Sequence, residues 1–303
     1  MMSATKFVDL PDRLRLSYVE QGDLTGHPVV LLHGVSDSCR SFGLLLPHLP
    51  PSLHLFAISQ RGHGDSERPL LGYAPHDFAA DLAGFMAFFD LGPAVIVGHS
   101  MSSSIAERFA LDHLEHFLGM VLVGAFFFGW QRSPAAMELW DRTVSTMTDP
   151  VDPDFVRKFQ ESTLSQEVPS DFLDMVVDEG LKLPARVLQA VFDGFLKADF
   201  MTELGAIQVP TLIVWGEQDA VCPRSEQLAL ASAVPGAKSI SYAEAGHAPH
   251  WEEPRRFAGD LLDFVQNVAA RTAGRGVAAD AGASSSPWPG TVRNDGRPQG
   301  ARR

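Results

Sequence analysis

The sequence is poor in cysteine. Its 303 residues include two cysteines, Cys39 and Cys222, and they form neither a CxxC pair nor a cluster with metal-ligand spacing. A zinc site and a disulfide framework both need such clusters, so the sequence predicts neither of them. One pair of cysteines in a chain of this length is compatible with a reducing compartment.

The chain also has few basic residues and no long apolar run. Lys and Arg number 24 against 37 Asp and Glu, which gives a net charge of −13. An acidic chain is a poor partner for nucleic acid or for an anionic membrane surface, and we expect neither. The longest apolar run, residues 120–130, is too short to span a bilayer, and the amino terminus lacks the apolar region of a signal peptide. These absences predict a cytoplasmic protein without membrane insertion.

The remaining composition is that of a folded globular protein. Hydrophobic residues make up 45% of the chain and charged residues 20%, which is enough apolar material for one large domain or a domain with an insertion. Short apolar runs alternate with segments of helical spacing, and this pattern favours an α/β fold with a mostly parallel sheet covered by helices on both faces. The predicted buried strands are residues 28–32, 53–58, 95–97, 119–124, 211–215 and 238–242, preceded by a hairpin within residues 7–20.

Four further segments complete the predicted organisation. Helical spacing over residues 42–49 predicts a helix, and a last helix is expected from Pro254 to about Val268. Residues 129–204 contain helical patches separated by prolines and no β-rich run, so we expect a helical cap between two parts of the core, 1–128 and 205–270. The tail, 271–303, is rich in Gly, Ala, Ser, Pro and Arg and is predicted to be disordered.

One strand is followed almost at once by a helix. The apolar run Val95–Val97 ends in Gly98-His99-Ser100-Met101-Ser102, and helical spacing begins directly afterwards. A chain that turns so sharply holds its apex residue, Ser100, in a strained conformation that small neighbours permit. The turn would raise the Ser100 hydroxyl clear of the backbone and aim free helix N–H groups at the atom it attacks. The alternative is an ordinary serine at a helix N-terminus.

This turn resembles the nucleophile elbow, G-x-S-x-G, of the α/β-hydrolase family. The motifs H-G, R-G-x-G-x-S, G-x-x-D and G-H-x-x-x-x-E-x-P also occur in family order, and the resemblance covers about residues 5 to 270. It implies a doubly wound, mostly parallel sheet of eight strands with a helical cap after the sixth. The chain departs from the family pattern at Ser102, where glycine is usual, and at Gln60, where aspartate is usual.

A serine hydroxyl needs a general base, and the base needs an orienting carboxylate. Both residue types follow later strands, where the carboxyl ends of parallel strands collect functional groups. Asp219 lies after the strand at 211–215, with Glu217 as a competitor that the G-x-x-D match disfavours. His247 lies after the strand at 238–242, with His250 as a competitor that the Gly-His pair disfavours. The predicted catalytic residues are therefore Ser100 as nucleophile, His247 as base and then acid, and Asp219 as the orienting carboxylate.

The resemblance also implies an oxyanion hole. Its donors would be the backbone N–H groups of Val35, after His33-Gly34, and of Met101, after the nucleophile. The other loop histidines, His33, His63 and His99, are interpreted as structural groups that bond backbone carbonyls.

The resulting hypothesis is a serine hydrolase that cleaves a carboxylic ester or lactone through an acyl-enzyme. Aromatic residues at the start of the insertion, Phe126 to Phe128, Trp130 and Trp140, favour a small and largely hydrophobic substrate. No metal or organic cofactor is implied, because the three side chains supply acid, base and nucleophile. Hydrolysis of a carbon–carbon bond or an amide, perhydrolysis, and a non-catalytic receptor on the same fold are the alternatives. The oligomeric state is left open.

Overall fold

A computed structural model describes residues 4–11, 14–127 and 129–282, with side chains described as far as residue 272. It contains one sheet of eight strands. The strands are β1 (Lys6–Asp9), β2 (Arg15–Gly22), β3 (His27–Leu32), β4 (Leu53–Ser59), β5 (Ala94–His99), β6 (Phe117–Val123), β7 (Thr211–Gly216) and β8 (Lys238–Tyr242).

The strand order in the sheet is β1-β2-β4-β3-β5-β6-β7-β8. The β1–β2 and β2–β4 pairs are antiparallel, and all the pairs from β4 to β8 are parallel. The predicted doubly wound, mostly parallel sheet is thereby confirmed. Because β3, β5, β6 and β7 run in one direction, the loops at their carboxyl ends emerge along the same edge of the sheet.

Nine α-helices are present in the described part of the chain. Four of them, α3 to α6, lie in sequence between β6 and β7, where the proline-separated helical patches predict helices. The helices are α1 (Pro75–Phe88), α2 (Met101–Asp112), α3 (Pro134–Arg142), α4 (Pro153–Ser162), α5 (Ser170–Gly180), α6 (Ala185–Leu196), α7 (Arg224–Ala233), α8 (Pro249–Glu252) and α9 (Pro254–Gly282).

The central strands are apolar throughout because both faces of the sheet are covered. Val30 and Ile96 belong to one buried cluster, while their sequence neighbours Val29 and Val95 belong to another. Successive side chains of a strand point to opposite faces, so the two clusters are the cores on the two sides of the sheet. All four side chains are fully buried. The strands that carry the site loops are therefore packed on both of their faces.

Two predicted helices differ in the structure. Residues 42–49 form no α-helix; two short 3₁₀ turns, Cys39–Phe42 and Leu46–His48, occupy the segment instead. Pro47 lacks the N–H that a helix interior requires, which explains the break. The last helix, α9, runs to Gly282 rather than ending near Val268. The alanines and arginines after residue 268 favour helix, although composition predicts disorder from 271. Residues 283–303 lie outside the described part of the chain.

Among the described residues, no helix combines the length and apolar character that crossing a bilayer requires.

Candidate active site

Ser100 lies at the sharp turn between β5 and α2. Its backbone has φ 53° and ψ −115°, a conformation that non-glycine residues rarely adopt. Its N–H donates to the carbonyl of Val123 at 2.9 Å, which ties the turn to the neighbouring strand β6. A Cβ atom at Gly98 would lie 2.2 Å from the backbone oxygen of Ser102, so the turn tolerates no side chain there. The predicted strain at the apex and the need for a small neighbour are both present.

The structure brings Ser100, His247 and Asp219 into one hydrogen-bonded chain. Nε2 of His247 lies 2.8 Å from Oγ of Ser100, and Nδ1 lies 2.8 Å from Oδ2 of Asp219. A carboxylate accepts hydrogen bonds, so Nδ1 carries the proton and Nε2 accepts from the serine hydroxyl. All three residues are buried. This is the geometry in which a histidine can take the proton of an attacking serine.

The acid loop is held against the histidine loop. The other oxygen of Asp219, Oδ1, accepts from the N–H groups of Val221 at 2.8 Å and Cys222 at 2.9 Å, which fixes the plane of the carboxylate. A Cβ at Gly216 would lie 2.1 Å from the carbonyl oxygens of Ala245 and Gly246. Glycine at position 216 therefore permits the close approach that lets Asp219 reach the imidazole.

The two competing residues lie outside this chain of contacts. Glu217 is exposed, and it accepts a hydrogen bond from the hydroxyl of Ser241 at 2.7 Å. His250 is buried, and its ring packs beside Phe42 and Phe257. The structure thus unites the predicted residues and leaves both competitors apart.

The two residues expected to supply oxyanion donors are Met101, which follows Ser100 in the chain, and Val35, which shares its cavity. Met101 is the first residue of α2, where an N–H has no acceptor within its own helix. Val35 follows the carboxyl end of β3 and lines the same cavity as Ser100. These are the two donors that the resemblance implies for an oxyanion hole. Their role in catalysis stays a prediction.

Comparison with known proteins decides the family. The model of a family described as "alpha/beta hydrolase fold" matches residues 27–254. This chain belongs to the α/β-hydrolase family.

The chain is similar to several named proteins. The chain is 27% identical over 243 residues to a pimeloyl-[acyl-carrier protein] methyl ester esterase of Neisseria meningitidis, covering 78% of this chain and 92% of the relative. It is 24% identical over 251 residues to the AB hydrolase superfamily protein YisY of Bacillus subtilis, covering 79% and 91% respectively. A solved esterase from Exiguobacterium antarcticum superposes with a TM-score of 0.79 at 22% identity, over 88% of this chain and all (100%) of that one.

The two departures from the family pattern contact each other. Nε2 of Gln60 donates to Oγ of Ser102 at 2.6 Å, and the Ser102 hydroxyl donates to the carbonyl of His33. Gln60 also donates to that carbonyl at 3.3 Å. Ser102, which replaces the usual glycine of the elbow, is therefore hydrogen-bonded by Gln60, which replaces the usual aspartate. Together they connect the elbow to the end of β3.

The three loop histidines bond backbone carbonyls, as expected. Nδ1 of His33 donates to the carbonyl of Gly34 at 2.7 Å, and Nδ1 of His63 donates to that of Arg61 at 2.9 Å. Nε2 of His99 donates to the carbonyl of His247 at 3.1 Å. Burial lowers the pKa of His63 to about 4 and that of His99 well below its ordinary value, so both rings are neutral near pH 7.

A cavity of about 360 Å³ opens beside Ser100 and His247. This volume falls within the range of about 300–1,000 Å³ that is typical of small-molecule sites. Of the aromatic residues at the start of the insertion, Phe126 and Trp130 line the cavity, whereas Phe127 and Trp140 are not among its lining residues. The Trp140 ring stacks on Phe192. Phe128 lies outside the described residues. The large apolar side chains that line the cavity are Phe126, Trp130, Leu139, Phe159, Phe192 and Trp251, and the charged residues Glu138 and Arg142 line it as well.

Two acidic residues, Asp37 and Glu138, line this cavity. Asp37 is buried, and its Oδ1 accepts from Nε2 of Gln160 in α4 at 3.0 Å. Its Oδ2 lies 3.9 Å from Nδ1 of His99. Burial raises the pKa of Asp37 to about 7, so the charged and neutral forms are both populated near neutral pH.

Sequence reasoning missed four residues that support the site: Asp37, Gln160, Thr163 and Glu252. The carbonyl of Thr163 accepts from the N–H of His247 at 2.7 Å. Glu252 accepts from the N–H of Gly246 at 2.8 Å and from the N–H groups of residues 165 and 166. Glu252 is the glutamate of the G-H-x-x-x-x-E-x-P motif, and Asp37 is an acidic residue directly after the H-G loop, so both carried a signal. Gln160 and Thr163 carried none, because their partners are distant in sequence.

Two groups of three side chains could geometrically hold a metal ion within the described ranges. One is Asp219, Cys222 and His247, whose acid and imidazole already hydrogen-bond to each other. The other is His113, Glu115 and His116, which is partly exposed. The expectation that the reaction needs no metal or cofactor stays a prediction.

Proposed function

We propose that this protein is a serine hydrolase that cleaves a carboxylic ester or lactone of a small, largely hydrophobic substrate through an acyl-enzyme on Ser100. The observation that carries the proposal is the hydrogen-bonded chain Ser100–His247–Asp219, with 2.8 Å at each link. The wall of aromatic and aliphatic side chains around Ser100 supports a hydrophobic substrate. The esterase names of a curated relative and of a solved structure support an ester as the bond.

In the proposed first half-reaction, Oγ of Ser100 attacks the ester carbonyl while its proton passes to Nε2 of His247. Asp219 holds the other ring nitrogen and stabilises the imidazolium that forms. The negative charge on the carbonyl oxygen falls between the N–H groups of Val35 and Met101. Collapse of this intermediate releases the alcohol, which takes the proton from His247.

The second half-reaction repeats these steps with water. His247 removes a proton from a water molecule, and the resulting hydroxide attacks the acyl group on Ser100. As the acid leaves, His247 returns the proton to Oγ of Ser100, which restores the starting state of the site. A lactone follows the same steps, except that its alcohol stays attached to the acid.

Turnover of short p-nitrophenyl esters by the purified protein tests the proposal. We expect Ser100→Ala to abolish this turnover, and the same substitution at Ser104, one helical turn further along α2, to retain it. Undiminished hydrolysis by Ser100→Ala would overturn the proposal. A panel of esters and lactones of graded chain length then identifies the substrate class, and the cavity volume predicts a preference for chains that fit about 360 Å³.

A further inference from the structure

A buried amide from α4 reaches the loop that carries Val35. The Gln160 side chain is 2% exposed. Its Nε2 donates to Oγ of Ser36 at 3.1 Å and to Oδ1 of Asp37 at 3.0 Å. A primary amide nitrogen has two hydrogens, so both are committed to this loop. Ser36 and Asp37 directly follow Val35, the proposed oxyanion donor.

The loop that Gln160 contacts is strained. Ser36 has φ 64°, in the left-handed region that costs a non-glycine residue of order 1–3 kcal/mol. Such a conformation persists when neighbouring contacts hold it. One contact is the Gln160 amide, and another is α5, because a Cβ at Gly180 would lie 3.2 Å from the Ser36 carbonyl oxygen. Both contacts come from the segment between β6 and β7, so this segment helps to hold the backbone beside Val35.

The end of α4 also contacts the histidine loop. The hydroxyl of Thr163 donates to the carbonyl of Gln160 at 2.7 Å, and the carbonyl of Thr163 accepts from the N–H of His247 at 2.7 Å. One short stretch of chain therefore touches both the loop of the general base and the loop of the oxyanion donor. A displacement of α4 would disturb both loops together.

We propose that Gln160 is a positioning residue, whose amide holds Ser36 and Asp37 so that the N–H of Val35 points at the oxyanion. This inference rests on the proposed function, because it assigns a part in the same reaction. It makes docking of α4 a condition for a complete oxyanion hole. Loss of one such donor lowers kcat by about 10²–10³-fold in other enzymes. Since Gln160 acts through the loop and is not itself the donor, a loss of about 10–100-fold is expected.

The test compares Gln160→Leu with Gln189→Leu. Gln189 is a matched control, because its amide donates to the carbonyls of Val144, Ser145 and Met147 and makes no contact with the oxyanion loop. For Gln160→Leu we expect kcat to fall about 10–100-fold with KM changed less than about 3-fold. Affinity for an alkyl trifluoromethyl ketone, which adds to Ser100 and forms an oxyanion, should fall by the same factor. For Gln189→Leu we expect both quantities within about 2-fold of wild type.

Gln160→Met repeats the loss of the amide with an unbranched chain, and Tm is measured for every variant. Two results would overturn the inference: equal losses of kcat in the Gln160 and Gln189 variants, or unchanged affinity for the ketone in Gln160→Leu and Gln160→Met. The proposed function would stand in either case, provided that the wild type is active. A wild type without ester turnover would overturn the proposed function and this inference with it.

Discussion

The contact between Gln60 and Ser102 gives a sharp prediction about stability. Replacing Ser102 by Ala removes a buried hydroxyl that accepts from Gln60 at 2.6 Å and donates to the carbonyl of His33. Each lost hydrogen bond costs about 0.5–1.5 kcal/mol net, so the free energy of unfolding should fall by about 1–3 kcal/mol. The reciprocal change, Gln60→Leu, leaves the Ser102 hydroxyl bonded to His33 and should cost a similar amount.

A double-mutant cycle isolates the contact itself. The four proteins are wild type, Ser102→Ala, Gln60→Leu and the double variant, and urea unfolding measures each free energy of unfolding. Each single substitution already removes the amide–hydroxyl hydrogen bond, so the double variant cannot lose it a second time. The loss of unfolding free energy in the double variant should therefore be smaller than the sum of the two single losses by about 1 kcal/mol. Additivity within about 0.3 kcal/mol would refute the claim that the two departures from the family pattern compensate each other.

Three further predictions concern ionisable groups. Asp219→Asn should lower kcat about 10⁴-fold, measured on a p-nitrophenyl ester, because the amide disturbs the imidazole tautomer; a loss below 10-fold would contradict its role. Glu107 is fully buried, no hydrogen bond satisfies its oxygens, and burial raises its pKa well above the ordinary value. The destabilisation of the folded state by Glu107 therefore grows as pH rises, because the unfolded chain loses this proton more readily. Glu107→Met should raise Tm more at about pH 8 than at about pH 5, and the reverse order would contradict this. Burial lowers the pKa of His250 to about 3, so stability is lost as pH falls below about 6.5, where the unfolded chain takes up a proton. His250→Phe should reduce the loss of unfolding free energy between about pH 7 and pH 4.5, and an unchanged loss in urea titrations would count against it.

The parallel sheet and the three site residues were predictable because their signals are local. A run such as Val95–Val97 is apolar at every position, as expected of a strand covered on both faces. The strand-to-helix turn at Ser100 is indicated by a few consecutive residues. Asp219 and His247 each follow a strand directly, and the carboxyl ends of parallel strands meet at one edge. Here a short stretch of sequence determines both the element and the position of the candidate site residue.

The missed features depend on contacts between distant segments. Gln160 meets Ser36 across 124 residues, and no pattern around position 160 distinguishes it from an ordinary helix glutamine. The predicted helix at 42–49 failed for a different reason: Leu45, Leu46 and Leu49 are buried as the spacing implies, but Pro47 limits the segment to 3₁₀ turns. The burial of these leucines was predicted correctly, and the α-helical backbone conformation was predicted wrongly.

The most direct measurement is mass spectrometry of the intact protein after treatment with a fluorophosphonate, followed by mapping of the modified peptide. A serine activated by His247 should take up one phosphonyl group, located on Ser100, and the adduct should be absent from Ser100→Ala and present in Ser104→Ala. Failure of wild type to react, or an adduct that persists in Ser100→Ala, would contradict an activated nucleophile at the β5–α2 turn.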